Sequence, residues 1–167
     1  MIVPRFDTGI AVMLQYCNTP MLLSRIQLTR VDKTATDTDS ISSVLAGSAG
    51  LTKNGTGNLT LTGANTYTGT TYLNSSILNL RNPNDAAIPG NLVITGGANA
   101  GNDNLQYTQA VARLQYNQQV GSLLAPVDVT VRGTAFFDLN GYTQAVNNLI
   151  LQQPGGSYGN IGAPVGT

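Results

Sequence analysis

Any acid–base or metal chemistry in this 167-residue chain has to come from eight aspartates, because it has no His and no Glu and only one cysteine, Cys17. Asp128 and Asp138 stand ten residues apart on two expected strands. A tight turn between those strands would bring the carboxyls together, and glycoside hydrolysis uses such a pair about 5–9 Å apart. No third group converges on them. Asp37-Thr38-Asp39-Ser40 spaces two carboxylates as a calcium loop does, but the central Gly and closing Glu of that loop are absent. Gly101-Asn102-Asp103-Asn104-Leu105 echoes half of a calcium-binding nonapeptide, in a single copy. Lys53, Arg113 and Arg132 are isolated in the sequence, with no acidic cluster beside them. Without His there is no Ser-His-Asp triad, no Cys-His pair and no His-bearing zinc site. The expected catalytic, metal and cofactor sets are therefore all "none", and the chain is expected not to be an enzyme.

The composition narrows the partners. Only 10% of residues are charged, and eight Lys and Arg balance eight acids to a net charge of zero, where an average soluble protein has about 25% charged residues. Such a chain has no electrostatic footprint for nucleic acid or an anionic membrane. No apolar run approaches the ~20 residues of a membrane-spanning helix, so no membrane insertion by this segment is expected. One cysteine makes no internal disulfide. A secretory leader is not legible either: Arg5 is followed by Asp7, and the apolar run from Gly9 to Leu14 is closed by Gln15. Two readings remain from this alone, an intracellular protein or a piece of a longer exported chain.

Along the chain, residues 1–39 read as an irregular N-terminal segment or cap, and the polar stretch from Asp32 to Ser40 reads as a loop. From Ile41 onward short apolar or alternating runs recur, each closed by Gly, Asn, Pro or Asp. Leu59-Thr60-Leu61-Thr62 and Val127 to Val131 alternate with period two, which turns one face inward. Thr, Val, Ile, Leu and Tyr suit a pleated, half-buried surface. Asn54-Gly55 and Asn140-Gly141 are turn dipeptides. Leu59–Gly63, Leu92–Gly96 and Val129–Gly133 share one pattern at intervals of 33 and 37 residues, as coils of a stacked repeat would. Low charge fits such stacking, since like charges about 4.8 Å apart repel whereas Thr and Asn can exchange hydrogen bonds. A sandwich and a solenoid both remain open from periodicity.

The segment Gly50-Leu51-Thr52-Lys53-Asn54-Gly55-Thr56-Gly57-Asn58-Leu59-Thr60-Leu61-Thr62-Gly63-Ala64-Asn65-Thr66-Tyr67-Thr68-Gly69 resembles the autotransporter-associated β-strand repeat, also called the passenger-associated repeat, of bacterial surface proteins. Gly50, Leu51, Lys53, Gly55, Gly57, Leu59, Leu61, Gly63, Asn65, Tyr67 and Gly69 fall on its characteristic positions. Asp138-Leu139-Asn140-Gly141 is similar to a later element of such proteins, and the resemblance covers about residues 40–152. It implies an all-β fold, a right-handed single-stranded parallel β-helix (β-solenoid) over residues 40–167, taken as a fragment of a longer protein. It also implies a bacterial cell-surface or extracellular location, with signal and anchor outside this segment.

The expected function is a non-catalytic passenger or stalk module, its partners the neighbouring coils of the parent protein. The rival readings are an adhesin segment that binds surface glycans or matrix proteins, and a β-helical carbohydrate-active enzyme. Tyr67, Tyr72 and Tyr107 gathered on one face would favour adhesion; their scatter would favour a stalk.

Overall fold

A computed structural model describes residues 38–55, 57–84, 86–96 and 109–152, together with two N-terminal strands. The strands are β1 (Ala11–Leu14), β2 (Ile26–Thr29), β3 (Thr38–Ile41), β4 (Leu51–Asn54), β5 (Asn58–Leu61), β6 (Thr71–Leu73), β7 (Ser76–Leu80), β8 (Leu92–Thr95), β9 (Ala110–Leu114), β10 (Val129–Arg132), β11 (Phe136–Asp138) and β12 (Leu149–Gln152). There is no helix among the described residues.

The strands form two sheets. The first runs β1-β2-β4-β6-β8-β10-β12 and the second β11-β9-β7-β5-β3. From β3 on, consecutive strands alternate between the sheets, and every strand pairs in parallel with the one a full coil away. That is the arrangement of a β-solenoid. Among the described strands only β1 and β2 pair antiparallel, and β2 then joins β4 in parallel. A third side closes each coil without regular strands. Its coils are tied by single backbone bonds, such as Thr66 N–H to the Leu45 carbonyl and Gly121 N–H to the Ile88 carbonyl, and by an isolated Ile88–Val120 bridge.

Alternation within these short strands sends every second side chain inward, and register stacks like on like. Leu51, Thr71, Leu92 and Val129 form one inward column of the first sheet; Lys53, Leu73, Ile94 and Val131 form the next. In the second sheet Leu59, Leu78, Ala112 and Phe137 stack, and Ile41, Leu61, Leu80 and Leu114 stack beside them. All of these are buried. The third side contributes Tyr67, Ile88 and Val120, also buried.

Two sequence expectations change. The matching patterns at 59–63 and 92–96 are not successive coils: β5 lies in the second sheet, β8 and β10 in the first. They look alike because both sheets use the same alternating strand closed by a glycine. The real step is about 20 residues, as in Thr52 beside Tyr72 and Val129 beside Leu149. The step of 37 from Leu92 to Val129 is one enlarged coil. Most of the extra length falls between β8 and β9, where the β6–β7 corner needs only Asn74 and Ser75. The polar stretch read as a loop up to Ser40 is also shorter, since Thr38, Asp39 and Ser40 belong to β3.

Candidate functional site

The functional candidate is the coil-to-coil interface, so its parts are the corners. Just before β4, β6 and β8 of the first sheet, Gly50, Gly69 and Gly90 stand above one another. A Cβ built on Gly50 would collide with the Thr70 carbonyl oxygen, one on Gly69 with the Gly50 backbone nitrogen, and one on Gly90 would sit 2.7 Å from the Gly69 carbonyl oxygen. Only glycine lets these backbones meet so closely.

Beside that column runs a polar ladder. The Asp128 backbone N–H donates to Asn91 Oδ1 at 3.0 Å, and Asn147 and Asn148 each donate a side-chain N–H to Asp128 Oδ1 at 2.9 Å. These amide donors hold the Asp128 carboxyl below the ordinary aspartate range, with Asn148 the largest cause. Asp128 is engaged in holding three coils in register at the entrance of the first sheet.

The third side replaces strand pairing with side-chain amides. Asn65 Oδ1 accepts from the Leu45 N–H at 2.8 Å and its Nδ2 donates to the Ala87 carbonyl at 2.7 Å, so one residue bridges the coil below and the coil above. Two coils later Gln119, almost fully buried, clasps the coil below with both ends of its amide: its Oε1 accepts from Asn82 N–H and its Nε2 donates to the Asn82 carbonyl, both at 2.7 Å. Gln144 Oε1 in turn accepts from Gln119 and Val120 N–H. An irregular backbone leaves amide groups unpaired, and unpaired buried groups are costly; these side chains satisfy them.

Two buried residues pin the interior. Lys53 Nζ, 3% exposed, donates to the carbonyls of Asn54 (3.1 Å), Gly55 (2.9 Å) and Ser75 (3.3 Å), stapling two successive corners. The Tyr67 hydroxyl shares a hydrogen bond with the fully buried Thr71 hydroxyl. Burial pushes the phenol up to about 12. Tyr67 thus sits inside the coil.

The remaining sequence candidates are dispersed. Asp138, in β11 of the second sheet, pairs with Arg113 of β9 at 2.7 Å and accepts from the Asn140 N–H at 2.9 Å. Asp128, just before β10 of the first sheet, and Asp138, in β11 of the second, thus belong to different sides of the coil, and each is bound into its own structural contact. Leu139 packs against the core, and Asn140 and Gly141 form the turn after β11, with φ of 47° and 80°. Leu51, Leu59 and Leu61 are buried, Gly57 lies just before β5, and Gly55 takes a φ of 81°. Asn54, Asn58 and Asn74, which precede Ser or Thr at glycosylation spacing, use their side chains between coils: Asn74 donates to Asn54 and Ser76 to Asn58. Among the described residues no three His, Cys, Asp or Glu side chains gather as a metal site would need, and no helix is long and apolar enough to cross a membrane. Asp37, Cys17 and the 101–105 stretch lie outside the described residues.

Sequence reasoning missed Gln119, Asn82 and Gln144. Their signal is only a bias toward Gln and Asn, and their partners lie 24 to 37 residues away.

Residues 51–78 match the passenger-associated-transport-repeat family. The matched segment runs from β4 through the first three residues of β7, about one and a half coils. The repeat therefore holds the Lys53 staple, the Asn65 bridge, Tyr67 and the Gly69 corner in one unit. No curated protein and no solved structure matches the chain.

Proposed function

We infer that this chain is a non-catalytic stalk segment from the passenger region of an autotransporter-like protein displayed at the bacterial surface. The observation that carries this reading is the use of its distinctive polar residues. Lys53, Asn65, Asp128 and Gln119 all bind backbone or amide groups of adjoining coils. A catalytic site would leave some of them directed at a substrate. The repeat at 51–78 supports the passenger assignment. The coils are taken to wind right-handedly around a single chain, the hand that parallel crossovers adopt in about 98% of cases.

The test is mechanical and chemical together. Pulled from both ends, a stalk should yield coil by coil, in extensions of about 70 Å for about 20 residues at ~3.5 Å each. Incubated with neutral and acidic polysaccharides, it should release no cleavage products. Cleavage that disappears in Asp128→Asn or Asp138→Asn would overturn the non-catalytic reading; a single all-or-none rupture would overturn the stacked-coil mechanics.

A further inference from the structure

Two tyrosines stand apart from the interlocking pattern. Tyr116, two residues past β9, and Tyr142, four past β11, come together on adjoining coils with ring centroids 6.4 Å apart and planes tilted by 41°. They are 38% and 36% exposed. Tyr67, by contrast, is buried and bonded, while Tyr72 is exposed on the first sheet, beside Thr52 and Val93 in register.

The frame under the pair is fixed. The Tyr142 N–H closes the Asn140-Gly141 turn onto the Leu139 carbonyl at 2.8 Å. Asn140 Nδ2 donates to the Leu114 carbonyl, Thr143 N–H donates to Asn117 Oδ1, and Gln118 N–H donates to the Thr143 carbonyl, at 3.1, 3.0 and 2.9 Å. The rings are thus tied into both coils from either side, and a ligand meeting them would have little backbone left to order. Both phenol hydroxyls, the Asn117 amide nitrogen and the Thr143 hydroxyl have no hydrogen-bond partner among the described residues. The neighbouring charges, Arg113 and Asp138, neutralise each other.

We propose that the Tyr116–Tyr142 pair is a binding platform for a neutral glycan. A pyranose with equatorial substituents presents a flat face of C–H groups, which packs on an aromatic ring. Its rim of hydroxyls meets the unclaimed phenols, amide and hydroxyl. Tyrosine supplies large contact area at low entropic cost. Among the described residues nothing gives the platform a net charge, which selects an uncharged sugar over an acidic one. This site goes beyond the stalk role and does not depend on it.

The test is affinity electrophoresis of the whole chain in gels containing soluble mixed-linkage β-glucan, with alginate as the anionic counterpart. The glucan should retard the wild-type chain, and the Tyr116→Ala/Tyr142→Ala variant should bind at least tenfold more weakly. Tyr72→Ala should migrate like wild type. Because the chain has no Trp, tyrosine emission reads binding directly and should change as glucan is added to the unaltered protein. Tyr116→Phe and Tyr142→Phe, which keep the rings, should retain binding within a few-fold even if the double alanine variant fails to fold. No retardation by glucan, equal retardation of a folded double variant, retention by alginate alone, or tyrosine emission unmoved by glucan would each overturn the proposal.

Discussion

Asn65 shows how much one side chain can carry in this molecule. It gives an acceptor to the coil below and a donor to the coil above while buried. Asn65→Ala strands the Leu45 N–H and the Ala87 carbonyl, and is expected to cost about 2–6 kcal/mol, the sum of two buried groups at roughly 1–3 each. Asn65→Asp keeps the acceptor but turns a buried carboxylate oxygen against the Ala87 carbonyl, so it should cost at least as much as Asn65→Ala; urea melts of both variants check the order. Two titrations also act at this scale. The folded-state pKa of Tyr67 is raised to about 12, against an ordinary 10.0. Its contribution is fully present below pH 10 and is lost as pH rises toward 12, because the unfolded chain gives up the proton first. Tyr67→Phe should flatten that alkaline decline in melting temperature while lowering stability at neutral pH, since Thr71 loses its partner. The Asp128 carboxyl is shifted the other way. Its contribution is present above the ordinary aspartate range and is lost as the pH falls through and below it. Asp128→Asn should remove that part of the acid sensitivity.

Among the elements, the glycine corners decide how closely strands can stack. Gly69→Ala places a methyl group against the Gly50 backbone, where no flexible side chain can yield. The β4–β6 pairing must open, and a loss of several kcal/mol or failure to fold is expected. Gly141→Ala meets open space but keeps a φ of 80°, so it should cost only about 1–2 kcal/mol of backbone strain. Thermal melts of the two variants separate crowding from strain. The strands themselves were readable from sequence, because Leu59-Thr60-Leu61 and Val129-Thr130-Val131 alternate and Asn-Gly or Gly closes them. Their partners were not. Strands of either sheet obey one grammar, so Leu59–Gly63 resembles Leu92–Gly96 although they never pair, and only backbone register exposes the step of about 20. Glycines were legible as closing the strands, but the vertical alignment of Gly50, Gly69 and Gly90 was not. For the same reason Asp128 could not be joined to Asn148, or Tyr116 to Tyr142, before the enlarged coil was placed.

Across the whole molecule the chain is held by columns of apolar side chains and neutral amides. The ion pair of Arg113 with Asp138 has partly exposed partners, and such pairs contribute about 0–1 kcal/mol. The melting temperature should therefore move by no more than about 2 °C between 0.05 and 0.5 M NaCl, since salt screens exposed charges and leaves apolar stacking in place. A large downward shift would show that ionic contacts, rather than stacking, hold the coils.

The enlarged coil between Leu92 and Val129 has one more consequence. Its extra residues leave the columns undisturbed: Ala112 still stacks beneath Phe137, and Ile94 beneath Val131. Height is counted in coils and not in residues. The six parallel strands from β2 to β12 rise about 24 Å at ~4.8 Å per step, whether a coil takes 20 residues or 37. Contour length and reach are thus separate variables in this architecture. Residues can be added sideways at a corner without lengthening the rod, and only whole turns move its tip outward.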